Sequence, residues 1–268
     1  MSTPFIIQNP QLKILSKEHF ESYKKHLNFS IEDAFKLLLN KPKSVDDFKF
    51  YLANSAVHSS NIEGNTINFD TYLKATEHNL HLKTKEIKEI EELIKAYEFA
   101  QVNDLTLNNI LKAHKIITTS ILIKKERGKI RKAKVGVRSE GRLIYLAIEP
   151  EHVKNELEKL FDDIATLISS ELTIEEIFYY AAYIHLVFVN IHPFVDGNGR
   201  ATRLIEKWFL SKMLGEKSWY ITSEKNYWNN RPAYYRSLRL GVNYYEVKYE
   251  NSIPFLLLLP NALKDIEL

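Results

Sequence analysis

The chain has 268 residues with 37 Lys and Arg against 34 Asp and Glu, a formal net charge of +3 that argues against a generally basic nucleic-acid binder. Cysteine is absent, which removes disulfides, thiolate metal sites and cysteine nucleophiles at once. Gly and Pro number 8 each, about half their usual combined share of roughly 12%, and the chain is 45% hydrophobic, so a mostly α-helical protein with a substantial core is expected.

Apolar residues recurring at spacings of three and four predict helices over residues 16–28, 29–40, 45–63, 68–79, 83–103 and 106–121, the last opening with Thr106 as N-cap. His78 and His81 fall at helical spacing but with no third ligand nearby, so they read as helix-surface residues. Residues 124–134 hold seven Lys and Arg and one Glu, and read as a solvated loop; without aromatic residues they make no platform for stacked bases. The helical period breaks at Val135, Val137, Arg138 to Gly141, Leu143 and Tyr145, whose alternation about a Gly-containing turn predicts a β-hairpin. A further helix is expected over 150–169. Thr173 then caps a segment, Ile174 to Ile191, that is apolar almost all round and so belongs at the centre of the domain. On this helix His185 reads as a hydrogen-bonded core residue. The start of the chain lacks the features of a secretory leader, and the most apolar run, Phe255 to Leu259, is far too short for a bilayer. A cytoplasmic protein without membrane contact is the expectation.

The most informative stretch follows the buried helix and reads His192-Pro-Phe-Val-Asp-Gly-Asn-Gly-Arg-Ala-Thr-Arg203. Pro193 biases His192 away from helical geometry. Gly197 and Gly199 leave backbone N–H groups open to a ligand, and a helical pattern resumes from Arg200 to about Leu214, so the Gly-Asn-Gly loop stands at a helix N-terminus suited to phosphate. Arg200 and Arg203 offer two guanidinium forks, Asp196 a hard oxygen ligand for Mg²⁺, and His192 a base for an incoming hydroxyl. No Walker-type loop or dinucleotide fingerprint occurs. The chemistry these residues point to is transfer of a phosphoryl-containing group from a nucleotide.

The pattern H-x-F-x-[DE]-G-N-G-R-x-x-R resembles the signature of Fic-domain proteins at every specified position. Upstream, Ala181 to Ile191 is similar to that family's central helix, and Gly128-Lys-Ile-Arg131 with the following hairpin to its target-docking flap, so the likeness spans roughly 104–215. The resemblance implies a Fic-type helical bundle with one hairpin flap: an N-terminal helical region over 1–103, the catalytic core over 104–215, and C-terminal helices over 216–268 closing the nucleotide pocket. It also implies a protein adenylyltransferase that moves AMP from ATP to a Tyr, Ser or Thr hydroxyl of a target protein docked at the flap, residues 135–145.

By the same likeness His192 would be the general base and Asp196 the Mg²⁺ ligand. Gly197, Asn198 and Gly199 would be the phosphate cradle, Arg200 and Arg203 the phosphate clamps, and Phe194 a core anchor. A kinase-like branch of the family departs at the first loop glycine, where this chain keeps Gly197. Ser59-Ser-Asn-Ile-Glu63-Gly64 matches the family's inhibitory motif [ST]-x-x-x-E-[GN], which implies that Glu63 competes with a nucleotide phosphate for Arg203, with Ser59 on the same helix face. Residues 229–238 resemble the stretch whose Tyr lines the adenine pocket; of Tyr234 and Tyr235, about 100° apart on a helix, Tyr235 is assigned to the pocket and the other to the core. Two alternatives stand beside this reading: a hydrolase removing AMP at the same site, and a non-catalytic nucleotide-binding regulator. Family members often pair, which implies a homodimer, although no residue here marks the interface.

Overall fold

The computed structural model describes residues 11–40, 45–77, 84–139 and 141–264. His78 and His81 lie outside the described residues, as does the N-terminal segment on which the expectation of no leader rests.

In chain order the N-terminal part supplies α1 (Phe20–His26), α2 (Ile31–Asn40), α3 (Val45–Ile62), α4 (Phe69–Glu77) and α5 (Lys85–Gln101). Next come α6 (Leu107–Ile117), the hairpin β1 (Gly136–Ser139) and β2 (Arg142–Leu146), α7 (Pro150–Ile168), α8 (Ile174–Ile191) and α9 (Asn198–Leu214). The short helices α10 (Ser223–Asn229), α11 (Arg231–Ser237), α12 (Ile253–Leu256) and α13 (Leu258–Asn261) follow. The mostly helical expectation holds, and the helix starts follow local chemistry. Thr106 caps α6 by accepting from the Asn109 amide, and Thr173 with Glu176 forms a full capping box at α8.

Helix α8 is nearly all buried and packs along α9, making the axis of the molecule. By length and composition it is apolar enough to cross a membrane, yet 83% of it is buried inside the fold, the position of a core helix. One hydrophobic core runs from Leu15 on the N-terminal side, through α3, α5, α6, α8 and α9, to Leu263. Helix α3 packs on α5, α9 and α10 and so reaches the start of α9 from the N-terminal part of the chain.

The hairpin departs from the simple alternation expected of it. Val137 pairs with Tyr145 but Arg138 pairs with Leu143, so Ile144 is an extra, bulged residue. The bulge leaves Leu143 53% exposed, while Ile144 and Tyr145 turn toward the body of the protein. The Tyr145 hydroxyl donates to the Asn190 carbonyl at 2.7 Å, fastening the hairpin to the end of α8.

Candidate active site

The site is built where α8 ends and α9 begins. His192 caps α8 in the left-handed region (φ 51°, ψ 61°), and it is the one non-glycine residue with positive φ among the described residues. A strained backbone held in place by its surroundings is common at functional positions. Its Nδ1 faces the Val189 carbonyl at 3.2 Å, which assigns the proton to Nδ1 and leaves the Nε2 lone pair for chemistry. Burial pushes the pKa of His192 down to about 4, so the ring is neutral at physiological pH.

The loop between the helices is pinned from within. Asn198 Oδ1 accepts from the Phe194 amide and its Nδ2 donates to the Phe194 carbonyl, both at 2.9 Å. Helix α9 therefore begins at Asn198, two residues before the expected start, with Gly197 as its N-cap. The side chain of Asn198 is spent on the loop, and what the first turn can offer an anion is its unpaired amides and the positive end of the dipole. Phe194 is fully buried, as an anchor should be.

His114, which carried no sequence signal, holds the loop from the other side. Its ring stacks on Phe194 with centroids 3.6 Å apart. Nδ1 accepts from the Gly128 amide at 3.0 Å, so Nε2 carries the proton and donates to the Asp196 carbonyl at 2.9 Å. Asp196 itself is exposed at the loop tip, with Oδ1 accepting from the Gly197 amide at 2.5 Å.

Opposite the loop stands the end of α3. Gly64 (φ +98°) donates its amide to the Asn61 carbonyl, and Asn65 donates to the Ser60 carbonyl, a helix-ending Schellman pair that makes Glu63 the C-cap. A carboxylate there meets the negative end of the helix dipole and needs a cation. Arg203 Nη2 supplies it, 2.8 Å from Glu63 Oε1. The same guanidinium donates from Nε to Ser59 Oγ and from Nη2 to the Ser59 carbonyl, each at 2.9 Å. Burial works to raise the pKa of Glu63, but Arg203, with help from Arg200, holds it below the ordinary carboxylate value.

The carboxylate lies directly on the first turn of α9. A Cβ at position 199 would collide with Glu63 Oε1 and lie 3.2 Å from Arg203 Nη1, so only glycine allows this approach. Glu63, His192, Gly199, Tyr234 and Tyr235 share one cleft of about 160 Å³, which Val137, Ile144 and Tyr145 of the hairpin also line.

Of the two tyrosines, Tyr235 is half-buried and gives its hydroxyl to the Ile62 carbonyl at 2.9 Å, reaching the end of α3. Tyr234 is buried and also borders the cleft. Its hydroxyl lies 3.0 Å from His185 Nε2 and accepts from Arg203 Nη1 at 3.3 Å. His185 continues inward to Glu206, 2.8 Å away, which also accepts from the Tyr227 hydroxyl. His185 is thus a satisfied core residue, and it braces the Tyr234 that braces Arg203.

Arg200 differs most from its expected place. Its Nη2 is held by Glu89 of α5 at 2.8 Å, it does not border the cleft, and its Nε is buried with no partner among the described residues. Glu89 lies 111 positions away, a pairing that no local pattern announces.

Residues 104–210 match the Fic/DOC family profile. Among curated proteins, the chain is 31% identical to "Protein adenylyltransferase fic-1" of Caenorhabditis elegans over 158 residues, which is 55% of this chain and 29% of that protein. It is 29% identical to the Caenorhabditis briggsae protein of the same name over an equal stretch. The match thus covers under a third of these relatives' length. A Fic family protein from Desulfovibrio desulfuricans G20 superposes with a TM-score of 0.77 at 21% identity, covering 96% of this chain and 76% of that one. A fragment of Fic-1 from C. elegans gives a TM-score of 0.63 at 19% identity, covering 91% and 69%.

Proposed function

With residues 104–210 identified as a Fic/DOC family domain, we propose that this chain is a protein adenylyltransferase held in check by Glu63. One observation carries the proposal: a carboxylate of the chain itself already sits on the amide-lined first turn of α9, paired with Arg203 and facing a neutral His192. The place is built for an anion, and a base with a free lone pair stands beside it.

In the forward reaction ATP takes that place with its phosphates on the amides of Asn198 and Gly199 and on Arg203. His192 Nε2 accepts the proton of a target hydroxyl as its oxygen attacks the α-phosphorus. The new P–O bond leaves AMP on the target, and the bond to the β-phosphate breaks to release pyrophosphate. Asp196 is exposed with an oxygen to spare, and no cluster of three or more carboxylates and histidines exists among the described residues. A lone carboxylate fits Mg²⁺ that arrives on the nucleotide, where the ion would neutralise phosphate charge. Tyr235 would border the adenine side of the cleft.

Glu63 and a phosphate compete for one guanidinium, and the cleft of about 160 Å³ is smaller than the roughly 300 Å³ where ligand pockets begin. Removing the carboxylate opens both. The Glu63→Gly variant, incubated with ATP and Mg²⁺, should gain the mass of AMP far faster than wild type, and His192→Ala in that background should abolish the gain. A variant that takes up no AMP, or no more than wild type, would sink the reading.

A second reading draws on the same carboxylate. Glu63 is 29% exposed toward the cleft, within reach of a water that could attack an AMP ester. In that case Glu63→Gly would raise attachment and lower removal.

A further inference from the structure

Charge is not spread evenly along this chain. From Lys124 to Arg142 stand nine Lys and Arg against two Glu, a local net charge of +7 in a chain of +3, leaving the remaining residues at −4. Two of the nine are spent internally. Arg131 is buried and donates to the carbonyls of His192 (2.7 Å), Ala133 (2.9 Å) and Ile148 (2.5 Å). Arg127 Nε donates to the Leu122 carbonyl. The other seven, Lys124, Lys125, Lys129, Lys132, Lys134, Arg138 and Arg142, are exposed, and among the described residues none of them forms an ion pair. Seven exposed cations without an ion pair among the described residues, crowded into 19 residues of chain, repel one another, a cost that a ligand of opposite charge would relieve.

The position of this surface ties it to the chemistry. The Arg131 amide donates to the Pro193 carbonyl at 2.9 Å and its side chain holds the His192 carbonyl, so the stretch is anchored to the loop that carries the base. Its other end is the hairpin whose Val137, Ile144 and Tyr145 wall the cleft. The outer edge of β2 is engaged by Val242 and Asn243, whereas β1, which carries Arg138, has β2 as its one strand partner among the described residues. An extended segment adding to β1 would run alongside the strand that carries Arg138, whose Val137 borders the same cleft as His192.

We propose that residues 124–139 together with Arg142 are the docking surface for an acidic segment of the target protein, with Asp or Glu flanking the hydroxyl that receives AMP. The proposal rests on the transferase reading and narrows its substrate class. A protein segment is favoured over a nucleic acid because the stretch contains no aromatic residue on which bases could stack, while it does offer a strand edge.

Binding can be read without nucleotide, by anisotropy of labelled Tyr-centred peptides in which the flanking residues are Glu in one and Gln in the other. On the wild-type chain at about 50 mM salt, the Glu peptide should bind roughly tenfold more tightly than the Gln peptide. The difference should shrink at about 0.3 M salt as screening sets in. The preference should vanish in a variant carrying Lys124→Glu, Lys129→Glu, Lys132→Glu and Lys134→Glu, and weaken in the same four positions changed to Gln, exposed sites at which folding is not at stake. Equal affinity for the two peptides, or a preference that both variants keep, overturns the proposal. So does a single-stranded DNA oligomer that displaces the Glu peptide as well as the Glu peptide displaces itself, since the surface would then be a nucleic-acid site. If the transferase reading alone is wrong, no AMP appears on the Glu63→Gly variant while the peptide preference remains.

Discussion

Asn198 shows how a single side chain can make a site without touching a ligand. Its amide satisfies both the donor and the acceptor of Phe194 across the turn, and the turn fixes where the amides of α9 point. Replacing it by Ala leaves the buried Phe194 amide unpaired, a cost of about 1–3 kcal/mol. A shift of the turn by an ångström would lower the rate by roughly a hundredfold. Asn198→Ala in the Glu63→Gly background is therefore expected to lose most AMP uptake by mass spectrometry and to unfold at lower urea. Retention of full uptake would show that the loop holds its shape without the amide. At this scale the sequence was informative about residue types and about one partnership, Glu63 with Arg203, and silent about the rest. His192, Gly199, Arg203 and Glu63 come together as their motifs suggested, because each motif compresses a local backbone shape. His114 stacked on Phe194, Glu89 on Arg200, and His185 bracing Tyr234 join residues far apart in the chain. Contacts of that kind leave no periodic trace.

Among the elements, the end of α3 decides whether the cleft is shut. Gly64 adopts φ +98° with open space around its missing Cβ, so its role is conformational and not steric. Alanine there would cost about 1–2 kcal/mol of backbone strain, which the helix can escape by unwinding its last turn. Unwinding would carry Glu63 off Arg203. Gly64→Ala is thus expected to show a lower thermal midpoint together with AMP uptake above wild type, though below Glu63→Gly. A lower midpoint with uptake unchanged would mean that Glu63 keeps its seat without the Schellman turn. Elements were more legible than contacts here, since caps and periodicity are local. Helix α8 runs over the predicted Ile174–Ile191, and Thr106 and Thr173 cap as read. Departures include the bulge at Ile144, beside the tertiary anchor of Tyr145 on Asn190, and the early start of α9, set by the local clasp of Asn198 on Phe194. The expected helices over 16–28 and 106–121 are also shorter, running Phe20–His26 and Leu107–Ile117.

Across the whole molecule, burial of histidine couples the fold to pH. The pKa values of His58, His114, His185 and His192 are all lowered, chiefly by burial, and those of His114 and His192 fall to about 4. An unfolded chain would protonate these rings near pH 6.5. Between about pH 6.5 and about 4 the unfolded state therefore binds protons that the folded state refuses, and stability falls as pH falls through that window. A shift of this size corresponds to at most about 3 kcal/mol for each of His114 and His192. Glu63 acts in the same direction at lower pH, since a carboxyl held below its ordinary value loses its stabilising charge as acid protonates it. His114 gives the effect a local focus: its Nδ1 accepts from Gly128, and a proton placed there would break that bond beside the loop that its ring and Nε2 hold. Urea midpoints measured at about pH 7.5, 6.0 and 5.0 should decline steadily, with the loop of residues 192–199 gaining amide exchange before the helices do. A midpoint that stays flat from about pH 7.5 to 5.0 would mean that these rings take up protons in the folded state, and that the neutral His192 on which the proposed transfer depends is not held by burial.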